Sequence, residues 1–79
     1  MIDVKQIKEI EGLYKNKDFY FVDVLIERGF MVLRVRYQYK LEAQARLAKT
    51  ALQDGKIQDI PEPDVKPSVF AVGGVRERQ

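Results

Sequence analysis

The sequence predicts a small α+β domain: an N-terminal helix, an antiparallel β-hairpin, a second helix, and a proline-rich extended C-terminal arm with scope to add a third strand. Three observations predict it. Phe19 to Lys40 alternates with strand period around a turn glycine, Leu41 to Asp54 repeats its apolar residues with helical period, and all three prolines gather between Ile57 and Pro67.

The first element is expected as a helix over Val4 to Tyr14. Asp3 followed by Gln6 suits a capping box, and Val4, Ile7, Ile10, Leu13 and Tyr14 recur at helical spacing. Gly12 weakens that helix by about 1 kcal/mol relative to alanine. Lys15-Asn16-Lys17-Asp18 is a polar connector with turn chemistry.

The hairpin is expected to set Ile26 opposite Met31, with the turn over Glu27 to Phe30. One face then pairs Val24 with Leu33, Val22 with Val35 and Tyr20 with Tyr37. The other pairs Leu25 with Val32, Asp23 with Arg34, Phe21 with Arg36 and Phe19 with Gln38. A slip of one residue would set Val22 against Arg34, so the pattern selects against it. Gly29 supplies the positive φ that such a turn needs. A single long helix over Met31 to Asp54 is the competing reading; the β-branched and aromatic density of MVLRVRYQY favours strand.

In the second helix Leu41, Ala45, Ala48 and Leu52 form a stripe widened by Leu47 and Ala51, Glu42 and Arg46 stand four apart, and Gly55 fits the left-handed residue beyond the end. The proline segment is expected to be neither helix nor central strand. Ser68 to Val72 suits a short strand, broken by Gly73-Gly74, with Arg76 to Gln79 frayed. The expected organisation is therefore a small α+β domain over residues 1–60 and an extended arm over residues 61–79.

A chain of 79 residues without cysteine has a marginal core and no disulfide to reinforce it, and such domains often gain stability by association. The net charge of +2 argues neither for nor strongly against nucleic acid. No apolar run is long enough for a signal peptide or a membrane span, so the expectation is a cytoplasmic protein without membrane contact.

Catalysis is the class that the composition disfavours most. Histidine and cysteine are absent, Thr50 and Ser68 have no base beside them, and no spacing marks a pair among the twelve acids. Zinc and transition metals lose their preferred ligands, no calcium loop is present, and Gly73-Gly74 lacks the rest of a phosphate loop. No cofactor and no metal are expected.

Two surfaces remain. Arg34, Arg36 and Lys40 form a basic row beside Phe19 and Phe21, a combination on which single-stranded nucleic acid stacks. Against it stand Asp23, which neutralises a base, and the packing of Phe with Arg as cation–π pairs. The same face carries Leu25 and Val32, so it is half apolar where antiparallel sheets usually turn polar. Either the arm folds back over that face, or a partner covers it, with Val69, Phe70 and Val72 as anchors of a docked or swapped arm. The expected function is a non-catalytic protein-interaction module, a regulator, adaptor or assembly factor, that self-associates as a homo-oligomer through this face and the arm. The alternative is nucleic-acid binding through the basic and aromatic residues.

Overall fold

A computed structural model describes residues 3–74. Three consecutive strands, β1 (Ile7–Asn16), β2 (Phe19–Arg28) and β3 (Met31–Tyr39), are followed by helix α1 (Glu42–Gln53) and a last strand, β4 (Val65–Gly74). The strands form one antiparallel sheet in the order β1-β2-β3-β4. The element order is thus β-β-β-α-β, which replaces the predicted order of helix, hairpin and helix. No helix among the described residues is long and apolar enough to cross a membrane.

The N-terminal segment accounts for the difference. The predicted helix over Val4 to Tyr14 is a strand preceded by one 3-10 turn, Val4–Gln6, in which the Asp3 carboxylate accepts from the Lys5 N–H at 3.0 Å. The start signal is real, but the helix does not propagate. In β1, Ile7 lies opposite Ile26, Ile10 opposite Val24 and Leu13 opposite Val22, with register shifts between Ile7 and Glu9 and between Ile10 and Gly12. Each shift adds a residue to β1, so its inward side chains recur every third residue instead of every second. A strand bulged twice carries the spacing of a helix. Gly12, which only weakens a helix, adopts a φ of 104° at the second bulge.

The central hairpin keeps its predicted faces and slips by two residues. Arg28 lies opposite Met31, Ile26 opposite Leu33, Val24 opposite Val35, Val22 opposite Tyr37 and Tyr20 opposite Tyr39. The turn is the two residues Gly29 and Phe30, with Gly29 at a φ of 62°. A two-residue turn of the II′ kind takes glycine at its first position, which places the turn one residue later than predicted. A slip of two leaves every side chain on its own face, so the apolar pattern does not choose between the two registers.

One face of the sheet packs on α1. Val22, Val24, Ile26, Val35, Tyr37 and Tyr39 join Ala45, Ala48 and Leu52 in one buried cluster, with Ile7, Ile10 and Leu13 at its margin. Full burial of a valine or isoleucine side chain contributes roughly 1.5–3 kcal/mol. The alanines bring the helix close to the sheet, as the sequence suggests. Gly55, at a φ of 71°, ends the helix: its N–H donates to the Leu52 carbonyl at 3.2 Å, and that of Lys56 to the Ala51 carbonyl at 2.8 Å.

The arm belongs to the sheet. Ile57–Asp59 forms a 3-10 turn, and three bonds then pin the chain to the end of β3. The fully buried Tyr39 donates its hydroxyl to the Pro61 carbonyl at 2.8 Å, the Asp64 N–H donates to the Gln38 carbonyl at 3.0 Å, and the Lys40 N–H donates to the Asp64 carboxylate at 2.8 Å. From there β4 pairs with β3, Arg34 opposite Phe70 and Val35 opposite Val69, as the fourth strand and not a third. It shifts register between Arg36 and Gln38, where Pro67 lies in the edge strand, and it runs through Gly73-Gly74, the predicted break. The predicted fraying of Arg76 to Gln79 lies outside the described residues.

The turn between β1 and β2 has the same two-residue length, Lys17-Asp18, but places Lys17 at a φ of 59°. A residue with a Cβ loses about 1–2 kcal/mol there. Lys17→Gly is expected to gain about 0.5–1 kcal/mol after the extra entropy of glycine in the unfolded chain is counted. Gly29→Ala is expected to lose about 1 kcal/mol. Thermal unfolding followed by circular dichroism measures both, at roughly 4–8 °C per kcal/mol. A lower melting temperature for Lys17→Gly contradicts the turn assignment.

Candidate functional site

The face away from α1 is assembled from alternate residues of the strands. Cross-strand partners lie on the same face, which sets Tyr14 beside Phe21, Gly12 beside Asp23, Asp23 beside Arg36, Leu25 beside Arg34, and Arg34 beside Phe70. Asp23 is the centre. It is 4% exposed and is the one buried charged side chain among the described residues.

A carboxylate taken out of water must be paired and hydrogen-bonded. Arg36 satisfies it from the next strand with two parallel bonds, Nε to Oδ1 at 2.9 Å and Nη2 to Oδ2 at 3.0 Å. The Tyr14 hydroxyl donates to Oδ2 at 3.1 Å from the other side, and Arg34 Nε stands 3.9 Å away. Arg34 itself reaches across β2 to Glu11, with Nε to Oε1 at 2.8 Å and Nη2 to Oε2 at 3.1 Å. Glu11 is the extra residue of the second bulge in β1, and that bulge brings it onto this face.

Aromatic rings enclose the guanidinium groups. Arg36 lies 5.3 Å from the centroids of Phe21 and Phe70 and 5.9 Å from that of Tyr14; Arg34 lies 6.0 Å from Phe70. Tyr14 and Phe21 are 5.3 Å apart, Phe19 and Phe21 6.3 Å. Burial, and then the negative charge of Asp23, raise the Tyr14 pKa above its ordinary value. Bonds to Glu11 and Asp23 raise those of Arg34 and Arg36 and hold both as cations.

Of the residues singled out from the sequence, Phe19, Phe21, Leu25, Val32, Arg34 and Arg36 share this half-exposed face. Phe70 joins them from β4, 37% exposed. Lys40 lies beyond the end of β3, engaged through its backbone with Asp64. Val69 pairs with Val35 on the side of the sheet that carries α1, and Val72 lies where β4 shifts register; both are exposed. The partner of Asp23 is Arg36, not Arg34 as the predicted register has it. Sequence reasoning missed Glu11 and Tyr14, because both were assigned to a helix. Gly12 inside an apolar repeat is the signal of the bulge that places them.

Compared with known proteins, the chain matches no family model, no curated sequence and no solved structure.

Removing Arg36 strands the Asp23 carboxylate. Arg36→Met is expected to cost about 2–3 kcal/mol, below the usual loss for a broken buried pair because the guanidinium is partly solvated and Arg34 stands nearby. Asp23→Val with Arg36→Met is expected within about 1 kcal/mol of the parent. Urea denaturation decides; a double variant as unstable as Arg36→Met contradicts the pairing. A pH dependence follows from the tyrosines. Burial raises the pKa values of Tyr14, Tyr37 and Tyr39 above 10.0, so the folded state holds these protons more tightly than the unfolded chain. Their contribution is complete below pH 10.0 and is lost as the pH rises through the folded-state values. The urea midpoint is expected to fall in that alkaline range, with tyrosinate absorbance appearing late; tyrosines that all titrate at the ordinary value contradict it.

Proposed function

We propose that this chain is a small non-catalytic protein-interaction module, a regulator, adaptor or assembly factor, whose open sheet face docks a second copy of itself. The observation that carries this reading is the neutralised aromatic cluster. Arg34 and Arg36 are bound to Glu11 and Asp23, so the face presents rings and planar guanidinium groups with little charge left over. Aromatic residues and arginine are enriched at the centres of protein interfaces, and a face without net charge does not repel its own copy.

Size supports the same reading. The molecule measures 43 × 26 × 18 Å, and the outline of its broad side exceeds the roughly 800 Å² per partner of a standard interface. The edges of the sheet suit association less well. β1 is bulged twice, and β4 carries Pro67 and a register shift at each end, features that blunt strand addition. The arm contributes through Phe70 within its own sheet. A phosphate backbone would have to displace Asp23 and Glu11 to reach the two arginines, which favours protein over nucleic acid.

Light scattering across a dilution series tests the reading. The parent is expected to associate reversibly, and Phe21→Ser and Phe70→Ser each to weaken association at least tenfold. A monomer at every concentration removes the self-association. Binding to single-stranded DNA that falls with salt, and that loses slope in Arg34→Glu with Arg36→Glu, replaces the protein reading by the nucleic-acid one.

A further inference from the structure

Both hairpin turns of the sheet have two residues and almost the same φ at the first, yet one carries Gly29 at 62° and the other Lys17 at 59°. Lys17 is the only non-glycine residue with positive φ among the described residues. The strained turn joins β2 to an edge strand. β1 lies at the edge of the sheet, holds no fully buried side chain and is interrupted by two register shifts. Strain stored in a short turn beside an edge strand favours its opening.

We propose that Lys17-Asp18 is a hinge through which two copies of the chain exchange β1. Straightening the hinge releases Lys17 from the left-handed region and turns β1 and β2 into one continuous strand. Each β1 then pairs with β2 of the other copy, in the register the hairpin already uses: Ile7 with Ile26, Ile10 with Val24, Leu13 with Val22. All those contacts are regained, as exchange of an identical element requires.

The hinge itself supplies a new contact. In the hairpin Lys15 lies opposite Tyr20 and Asn16 opposite Phe19. Continued through a straight hinge between two copies, that register sets Lys17 of each opposite Asp18 of the other, twice across the two-fold axis. Opposite charges in directly facing positions stabilise a strand pair, and like charges destabilise it. In the single chain these two residues are neighbours at a turn and do not face each other. The exchanged pair completes each open face with Tyr14 and Glu11 from the other copy and presents two such faces on one particle, the arrangement that raises avidity for a bivalent partner.

The inference is independent of what docks on the open face, and the experiment separates the two. The chain is refolded at high concentration, diluted, and sized by chromatography with light scattering. A fraction of dimer is expected to survive dilution, because its separation requires β1 to be stripped from β2. Lys17→Gly is expected to lower the yield of that long-lived dimer about fivefold. Asp18→Lys, which sets like charges across the hinge, is expected to lower it as well, and Lys17→Asp with Asp18→Lys to restore it. Circular dichroism confirms that each variant folds. Absence of a long-lived dimer at every concentration, or an equal yield in the parent, Lys17→Gly and Asp18→Lys, overturns the proposal. Association through the open face re-equilibrates on dilution and is unchanged by these variants, whereas Phe21→Ser and Phe70→Ser weaken it and leave the long-lived dimer.

Discussion

A single buried carboxylate organises the solvent side of this sheet. Asp23 sits on a central strand with 4% of its surface exposed, where an unpaired charge would cost several kcal/mol. Its demand for partners explains the surrounding geometry. Arg36 lies flat across the strands to reach it, Tyr14 comes over from β1 to donate a third bond, and the planar guanidinium then becomes a surface for Phe21 and Phe70. Arg34 and Glu11 repeat the pattern one step away. The outcome is a face that is aromatic and internally neutralised, although its residues look basic when counted along the strand.

The opposite face holds the fold together mainly by apolar packing. Valine, isoleucine and tyrosine from β2 and β3 meet the alanines of α1, and the close approach leaves one compact apolar layer. The two faces are joined through the arm. Tyr39, buried beneath the helix, bonds Pro61, and Asp64 clasps the end of β3, so β4 enters in a fixed register and delivers Phe70 to Arg34. A feature of the core thereby positions a residue of the open face.

Much of this was legible in the residues, and the failures share one cause. The helix over Glu42–Gln53 and its glycine stop follow from local propensity, and the two faces of the central hairpin follow from alternation. Bulges defeat both signals. Ile7, Ile10 and Leu13 repeat every third residue because β1 gains a residue twice, and no local rule separates that from a helix except the misplaced Gly12. The hairpin register was ambiguous by two residues because such a slip conserves faces; only the preference of a two-residue turn for glycine at its first position resolves it. Phe70 was singled out from the sequence but its neighbours were not, since they depend on its pairing with the distant Arg34. Glu11 and Tyr14 were invisible as site residues for the same reason that β1 was read as a helix.

We propose that the open sheet face, and not the helix, is where the molecule docks a partner reversibly. Two-dimensional NMR spectra recorded across a dilution series decide between them. Docking through the open face is expected to give concentration-dependent shifts concentrated on Tyr14, Phe19, Phe21, Leu25, Val32, Arg36 and Phe70, with the outward residues of α1, Ala43 and Leu47, unmoved. Shifts centred on Ala43 and Leu47, or spectra that do not change with concentration, would contradict it.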